Sequence, residues 1–234
     1  MKYLTGMMVI AALAVAGCDS GVVETNFDDL PDGSVRFVNF LAGHPPMDVV
    51  VDDKTLGAQG ATGMNFGAAS GYAAITGGTR NLGFDTAGTD TKRKRVAANF
   101  IVTAAKGTVL ASIDGNKNPY MVGLVDTIPA ALTASNAAIR FVHAAATRDS
   151  VTLIFSVGSS NDSTNFVGRA TRSVTQFRTI PPAVYNVSIK KKNSASPIVM
   201  KSLLIEPGKA YTLVANGNTD ATLPWLDLTL LPNN

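Results

Sequence analysis

The chain repeats itself, and this limits what it can fold into more than any other feature of its sequence. The segment SVRFVNF at 34–40 returns as AIRFVHA at 138–144, with Arg36, Phe37 and Val38 matched by Arg140, Phe141 and Val142. In the same order, MDVVV at 47–51 meets VTLIF at 151–155, and YAAITGGTRNLGF at 72–84 meets FRTIPPAVYNVSI at 177–189. FIVTAAKGTVLASIDGN then meets LLIEPGKAYTLVANGN, so that Gly115-Asn116 falls on Gly217-Asn218. Four blocks in one order, about 100 residues apart, are the mark of a duplicated unit. The repeat divides the chain into two tandem domains, 34–132 and 133–234, joined near the Pro-, Ala- and Ser-rich stretch TIPAALTASNA.

Each block reads as strands. MDVVVDD sends Val49 and Val51 one way and Asp48 and Asp52 the other, and Asp52-Asp53-Lys54 supplies turn chemistry. YNVSIKKK alternates Tyr185, Val187 and Ile189 against Asn186, Ser188 and Lys190. YTLVANGN ends in a Gly/Asn turn, and LPWLDLTLLP is a last strand with Trp225 near its start. RFVNF does not alternate: Val35, Phe37 and Asn39 oppose Arg36, Val38 and Phe40, which implies a strand covered on much of both faces. Six or seven such strands per repeat predict an all-β chain of two tandem immunoglobulin-like β-sandwich domains, with a helix-poor barrel as the alternative. A content of 46% hydrophobic and 16% charged residues is that of a globular chain rather than a disordered one.

The N-terminus reads as an address. Lys2 precedes a largely apolar run from Leu4 to Ala16, too short to span a bilayer comfortably, which ends in Val15-Ala16-Gly17-Cys18. This resembles the lipobox of bacterial lipoproteins. The resemblance implies a lipoprotein signal peptide over 1–17, cleavage between Gly17 and Cys18, a diacylglyceryl thioether on the Cys18 thiol and acylation of the new amino terminus. Cys18 is the one cysteine of the chain, so no disulfide competes for it. More than one acyl chain gives stable membrane anchoring where one gives little. Asp19 resembles the inner-membrane retention signal of enteric bacteria; other bacteria sort differently, so inner and outer membrane both stay open. Residues 18–33 hold five acids (Asp19, Glu24, Asp28, Asp29, Asp32) and no base, and read as an acidic tether.

Together the RFV(N/H) start, the DVVVD strand and the YxxIxxGTxxL segment resemble the domain of unknown function 4397 family. The resemblance covers both repeats and implies an exported β-sandwich module, often carried by lipoproteins or cell-surface chains, with no established catalytic role. Asn39 stands where His143 supplies the histidine, the following loops are LAGHPP and AAATRD, and Asp53 replaces a turn glycine. These departures bear on a shared ligand site, not on the apolar positions.

Candidates for chemistry are few. His44 and His143 are the two histidines and do not occupy equivalent positions, short of the three or four ligands a zinc site needs. Ser70 lies in GAASGY, which is not a nucleophile elbow. Asp48, Asp52 and Asp53, and Asp85 and Asp90, lack calcium-loop spacing. The repeats carry nine bases against seven acids and ten against five. Lys92-Arg93-Lys94-Arg95 and Lys190-Lys191-Lys192 read as hairpin tips or edge-strand guards, and envelope polyanions, not nucleic acid, are the anions an exported chain meets. The reading expects no metal, no cofactor, no nucleic acid and no catalysis. It expects instead a non-catalytic envelope interaction or scaffolding module, anchored through Cys18, facing the periplasm or exterior and contacting a protein or a glycan. An enzyme, or a small-ligand or glycan-binding protein with its site between the repeats, is the alternative. A glycan binder should expose an aromatic platform, with Trp225 the foremost candidate.

Overall fold

The computed structural model describes residues 30–88, 94–130, 132–147, 149–158, 165–191, 194, 196–218 and 225–233. The first repeat supplies β1 (Gly33–Phe40), β2 (Met47–Val51), β3 (Lys54–Thr55), β4 (Ala73–Ile75), β5 (Gly78–Thr86), β6 (Lys94–Val102), β7 (Lys106–Ile113) and β8 (Pro119–Val125). The second supplies β9 (Ala137–His143), β10 (Val151–Ser156), β11 (Asn165–Arg169), β12 (Arg178–Ile180), β13 (Ala183–Lys191), β14 (Val199–Ile205), β15 (Ala210–Asn216) and β16 (Asp227–Pro232). No helix occurs among the described residues. Among the described residues the count of eight strands per repeat exceeds the six or seven expected because β3 has two residues and β4 and β12 three each, too short for periodicity to register.

Each repeat is a sandwich of two four-stranded sheets. The first pairs β4-β1-β7-β8 with β3-β2-β5-β6, and the second pairs β12-β9-β15-β16 with β11-β10-β13-β14. Every strand has its counterpart eight places on, so the sequence repeat is a structural one. The architecture is the immunoglobulin-like one of two packed sheets, with its own strand order. The first strand of each repeat runs in the middle of its sheet, parallel to the seventh: Phe37 opposes Val109 in β1·β7, and Phe141 opposes Leu213 in β9·β15.

Alternation survives where one face meets water. Tyr185, Val187 and Ile189 of β13 are buried while Asn186 is exposed. The first sandwich closes on Phe37, Val49, Leu82, Phe84 and Val109; the second closes on Ile139, Phe141, Leu153, Phe155, Phe166 and Val187. A third cluster belongs to neither interior. Val38 and Phe40 of β1, Leu110 of β7, Leu124 of β8, Val142 of β9, Ala144, Val214 of β15 and Leu231 of β16 pack together. The sheet β4-β1-β7-β8 therefore stacks on β12-β9-β15-β16, and the molecule is four sheets deep. This explains RFVNF: β1 is buried nearly throughout and β9 throughout, because each has a sandwich core on one side and the partner repeat on the other.

Two glycines permit close approaches. A Cβ at Gly77 would lie 1.8 Å from the carbonyl oxygen of Leu30, so the entering chain lies directly against the β4–β5 turn. There the Gly77 amide also donates to Asp32 Oδ1 at 3.1 Å. A Cβ at Gly123 would come within 2.7 Å of the Phe100 ring, which closes the side of the first sandwich between β6 and β8.

Candidate functional site

The seam between the repeats is built from the second face of the central sheets. At one level of β1 and β9 that face carries arginine rather than an apolar side chain. Arg36 Nε and Nη2 both donate to Thr108 Oγ1, at 3.1 and 2.9 Å. Its Nη1 crosses the seam to the Pro232 carbonyl at 2.7 Å. Arg140 repeats the pattern: Nε donates to Thr212 Oγ1 at 2.8 Å and Nη1 crosses to the Val125 carbonyl at 2.6 Å. Arg36 lies over the Tyr72 ring and Arg140 over Phe177.

The symmetry breaks at one residue. Immediately after β8 stands Asp126, and immediately after β16 stands Asn233. Asp126 Oδ1 accepts from Arg140 Nη2 and from Asn233 Nδ2, the latter at 2.8 Å. Its Oδ2 accepts from Thr108 Oγ1 and from Tyr72 Oη, the latter at 2.7 Å. Thr212 Oγ1 donates to Asn233 Oδ1 at 3.0 Å. Two carboxylates here would repel; an acid and an amide hydrogen-bond instead. Two guanidinium groups thus share one carboxylate, with Asp126 2% exposed. Burial, partly offset by Asp126, holds the Arg140 guanidinium below its usual pKa. Burial and then Asp126 push the Tyr72 phenol up to about 12.

Toward the C-terminal ends of β1, β7 and β9 the seam opens. Ser112 Oγ donates to the Ala144 carbonyl across it. Beyond, Arg172 from the β11–β12 connection reaches the first repeat: Nη2 donates to Asp114 Oδ2 at 2.7 Å, and its guanidinium lies 4.5 Å from the centre of the Tyr120 ring. Arg172 holds φ at 70°, the left-handed region that a side-chain-bearing residue occupies only when its surroundings impose it. Desolvation raises the buried Tyr120 hydroxyl to about 12, an effect that the Ser112 hydroxyl and the charge of Arg172 partly offset. Asp114, Gly115, Asn116, Thr147, Ala170, Thr171 and Arg172 line an open cleft of ≈ 410 Å³ at this end. A second cavity, of ≈ 60 Å³, lies within the first sandwich beside Phe100 and Lys106.

The residues singled out in the sequence are dispersed. Gly17 and Cys18 lie outside the described residues, as do Asp90, Lys92, Arg93 and Lys192. Ser70 supports β1: its Oγ accepts from the Phe37 amide at 2.9 Å, as Thr175 Oγ1 does from the Phe141 amide in the second repeat. Asp48 accepts from the amides of Gly63 and Gly88. Asp52 and Asp53, with φ of 47° and 66°, form the two-residue turn between β2 and β3. Asp85 accepts from the Thr86 amide, and Lys191 pairs with Asp149 at 3.1 Å. Among the described residues no group of three or more His, Cys, Asp or Glu stands close enough to hold a metal ion. Trp225 lies just ahead of β16 with its side chain 70% exposed. The residues the sequence reading missed are Asp126 and Arg172; the signal available for the network was the arginine repeated at one level of a strand with no polar face.

The histidines sit in different sandwiches. His44 follows β1, and burial followed by the charge of Arg95 lowers its pKa. His143 ends β9, fully buried, where Nδ1 accepts from the Ala145 amide at 3.4 Å. Its counterpart Asn39 accepts from the Leu41 amide in the same way, at 2.9 Å. Burial depresses the His143 pKa from 6.5 to about 4, an effect that a hydrogen bond with the Asp149 backbone partly offsets. The unfolded chain therefore takes up this proton first as pH falls. The His143 contribution leaves stability unchanged above the ordinary pKa, lowers it from there to about pH 4, and levels off below, a loss of about 3 kcal/mol in all. His143→Asn, the residue of the first repeat, is expected to remove that slope in chemical denaturation curves collected across this window. An unchanged slope would show that His143 is not its source.

A family model described as Domain of unknown function (DUF4397) matches residues 33–154, all of the first sandwich and the start of the second. No curated protein matches the chain. Among solved structures, a leucine-rich repeat protein from Bacteroides thetaiotaomicron VPI-5482 aligns at 12% identity over 80% of this chain and 26% of that one, with a TM-score of 0.22. The chain thus spans about a quarter of that protein, and at this score the likeness carries no argument about function. The family match covers more than half of the chain, from β1 into β10, and on that ground the chain belongs to the DUF4397 family.

Proposed function

We propose that this protein is a non-catalytic interaction or scaffolding module of the bacterial envelope. In this reading lipid on Cys18 holds it to a membrane and the two sandwiches face the periplasm or exterior. The observation that carries the reading is the seam. Apolar side chains fill it beside a hydrogen-bonded network, which joins the two repeats through their central sheets. The chain enters beside Gly77, at the start of β1. The open cleft lies past the end of β7, which runs parallel to β1. Eight residues of β1 set the two ends about 25 Å apart, so a tether at the entry would turn the cleft away from the membrane. Asp48, Asp52 and Asp85 each accept from a backbone amide, a structural use that supports a non-catalytic role over an enzyme.

Two results are expected. In cells fed an alkyne-bearing palmitate, the wild-type chain carries the label and sediments with membranes, and Cys18→Ala does neither. In-cell crosslinking then captures discrete envelope components with the wild-type chain and loses them with Cys18→Ala. Equal labelling of both forms would overturn the anchor, and a complete lack of envelope crosslinks would overturn the module.

A further inference from the structure

The cleft at the open end of the seam has two properties that neither sandwich core explains. Among the described residues its charges cancel: Arg172 and Asp114 are paired at 2.7 Å, and Gly115, Asn116, Thr147 and Thr171 add uncharged groups to the lining, rich in donors and acceptors. An anion would meet Asp114 and a cation would meet Arg172, so the lining favours an uncharged, polar ligand. At ≈ 410 Å³ the cleft lies in the range of about 300–1,000 Å³ usual for ligand sites. It is open rather than enclosed, a shape that suits a segment of polymer better than an isolated metabolite.

The second property is its neighbour. Trp225, the sole tryptophan, is 70% exposed. Its backbone bridges to Asn218, and Asn218 bridges to Ala146, the residue before Thr147 of the cleft wall. Two strand spacings, about 10 Å, separate Trp225 from that wall along the ladder. An indole offers a large, rigid apolar plane with a polar edge, and it costs little side-chain entropy to immobilise.

We propose that the cleft and Trp225 together bind a neutral polysaccharide chain. The hydroxyl groups of one sugar unit are held by Asp114, Asn116 and Arg172, and the apolar face of a nearby unit stacks on the Trp225 indole. This rests on the non-catalytic envelope reading and gives that module its ligand class.

The test is calorimetric titration of the full chain, purified in detergent, with a panel of neutral oligosaccharides (cello-, malto-, xylo- and manno-oligomers). Oligogalacturonate serves as an acidic control. At least one neutral oligomer is expected to bind saturably, and Trp225→Ala and Asn116→Ala each to weaken it by about tenfold or more without a change in melting temperature. Met200→Ala, on the exposed face of β14, is expected to leave binding intact. Binding of the acidic oligomer alone, of no oligomer, or of a neutral oligomer with wild-type affinity by either Trp225→Ala or Asn116→Ala would overturn the proposal. If envelope crosslinks persist in cells while the panel fails, the glycan inference falls and the module reading stands; if the crosslinks also vanish, both fall.

Discussion

Asp126→Ala is expected to destabilise the protein by about 3–5 kcal/mol, the largest loss from any single polar substitution at the seam. The carboxylate is 2% exposed, and it is the charged acceptor facing both Arg36 and Arg140. Its removal leaves two buried guanidinium groups uncompensated and deprives Thr108 Oγ1, Tyr72 Oη and Asn233 Nδ2 of an acceptor. The penalty is that of orphaned charge and orphaned donors, not the net worth of the pair, since a buried ion pair exchanged whole for apolar side chains is often neutral. Asp126→Leu combined with Arg140→Met is accordingly expected to lose less than Asp126→Ala alone. That coupling places the loss in the pair rather than in the backbone of the connection. Urea denaturation of the three chains measures it. A loss below about 1 kcal/mol for Asp126→Ala, the scale of exposed ion pairs, would mean that water reaches the seam.

The duplication was legible because apolar positions repeat even where identities do not. Phe37 and Phe141 both enter sandwich cores, as do Leu82 and its aligned partner Val187. The failed alternation of RFVNF was informative, since it marked a strand with two partners before either partner could be named. What that strand's second face meets was not legible. The Thr108–Asp126 and Arg140–Asp126 contacts join different strands to a connecting segment that reads as a linker, and Asp126 there resembles any loop acid. Sequence spacing carries no sign that Val125 and Pro232 present carbonyls to opposite arginines. The cleft was illegible for the same reason: Asp114 and Arg172 are 58 residues apart and in different repeats, and they meet only once the sandwiches stack. Trp225 could be named as a candidate platform, but its exposure depends on the strand ending short of it, which composition does not reveal.

Phe40→Ala should test whether the two repeats fold as one unit. Phe40 is fully buried and belongs to the seam cluster, with Phe66 edge-on at 5.9 Å. Its removal strips about 3–5 kcal/mol of buried aromatic packing from the contact between sandwiches while leaving Phe37, Val49 and Phe84 to the first core and the whole second core in place. If the seam makes the repeats cooperative, the wild-type chain unfolds in a single transition by both tryptophan fluorescence and far-ultraviolet circular dichroism. Trp225 belongs to the second repeat and weights the fluorescence signal toward that repeat and the seam beside it, whereas the backbone signal weights both repeats alike. In Phe40→Ala the shared contribution is weakened, so the two probes should separate into distinct midpoints as each sandwich falls back on its own core. Phe155→Ala makes the contrast: Phe155 lies in the second core, against Phe166 and Tyr185, and its loss should shift the fluorescence transition most. Coincident transitions in Phe40→Ala, with the loss spread equally over both probes, would mean that the arginine network alone is enough to couple the repeats. Separate transitions already present in the wild-type chain would mean that the seam is a contact between independently stable sandwiches, and the cleft that depends on their alignment would then be free to open and close.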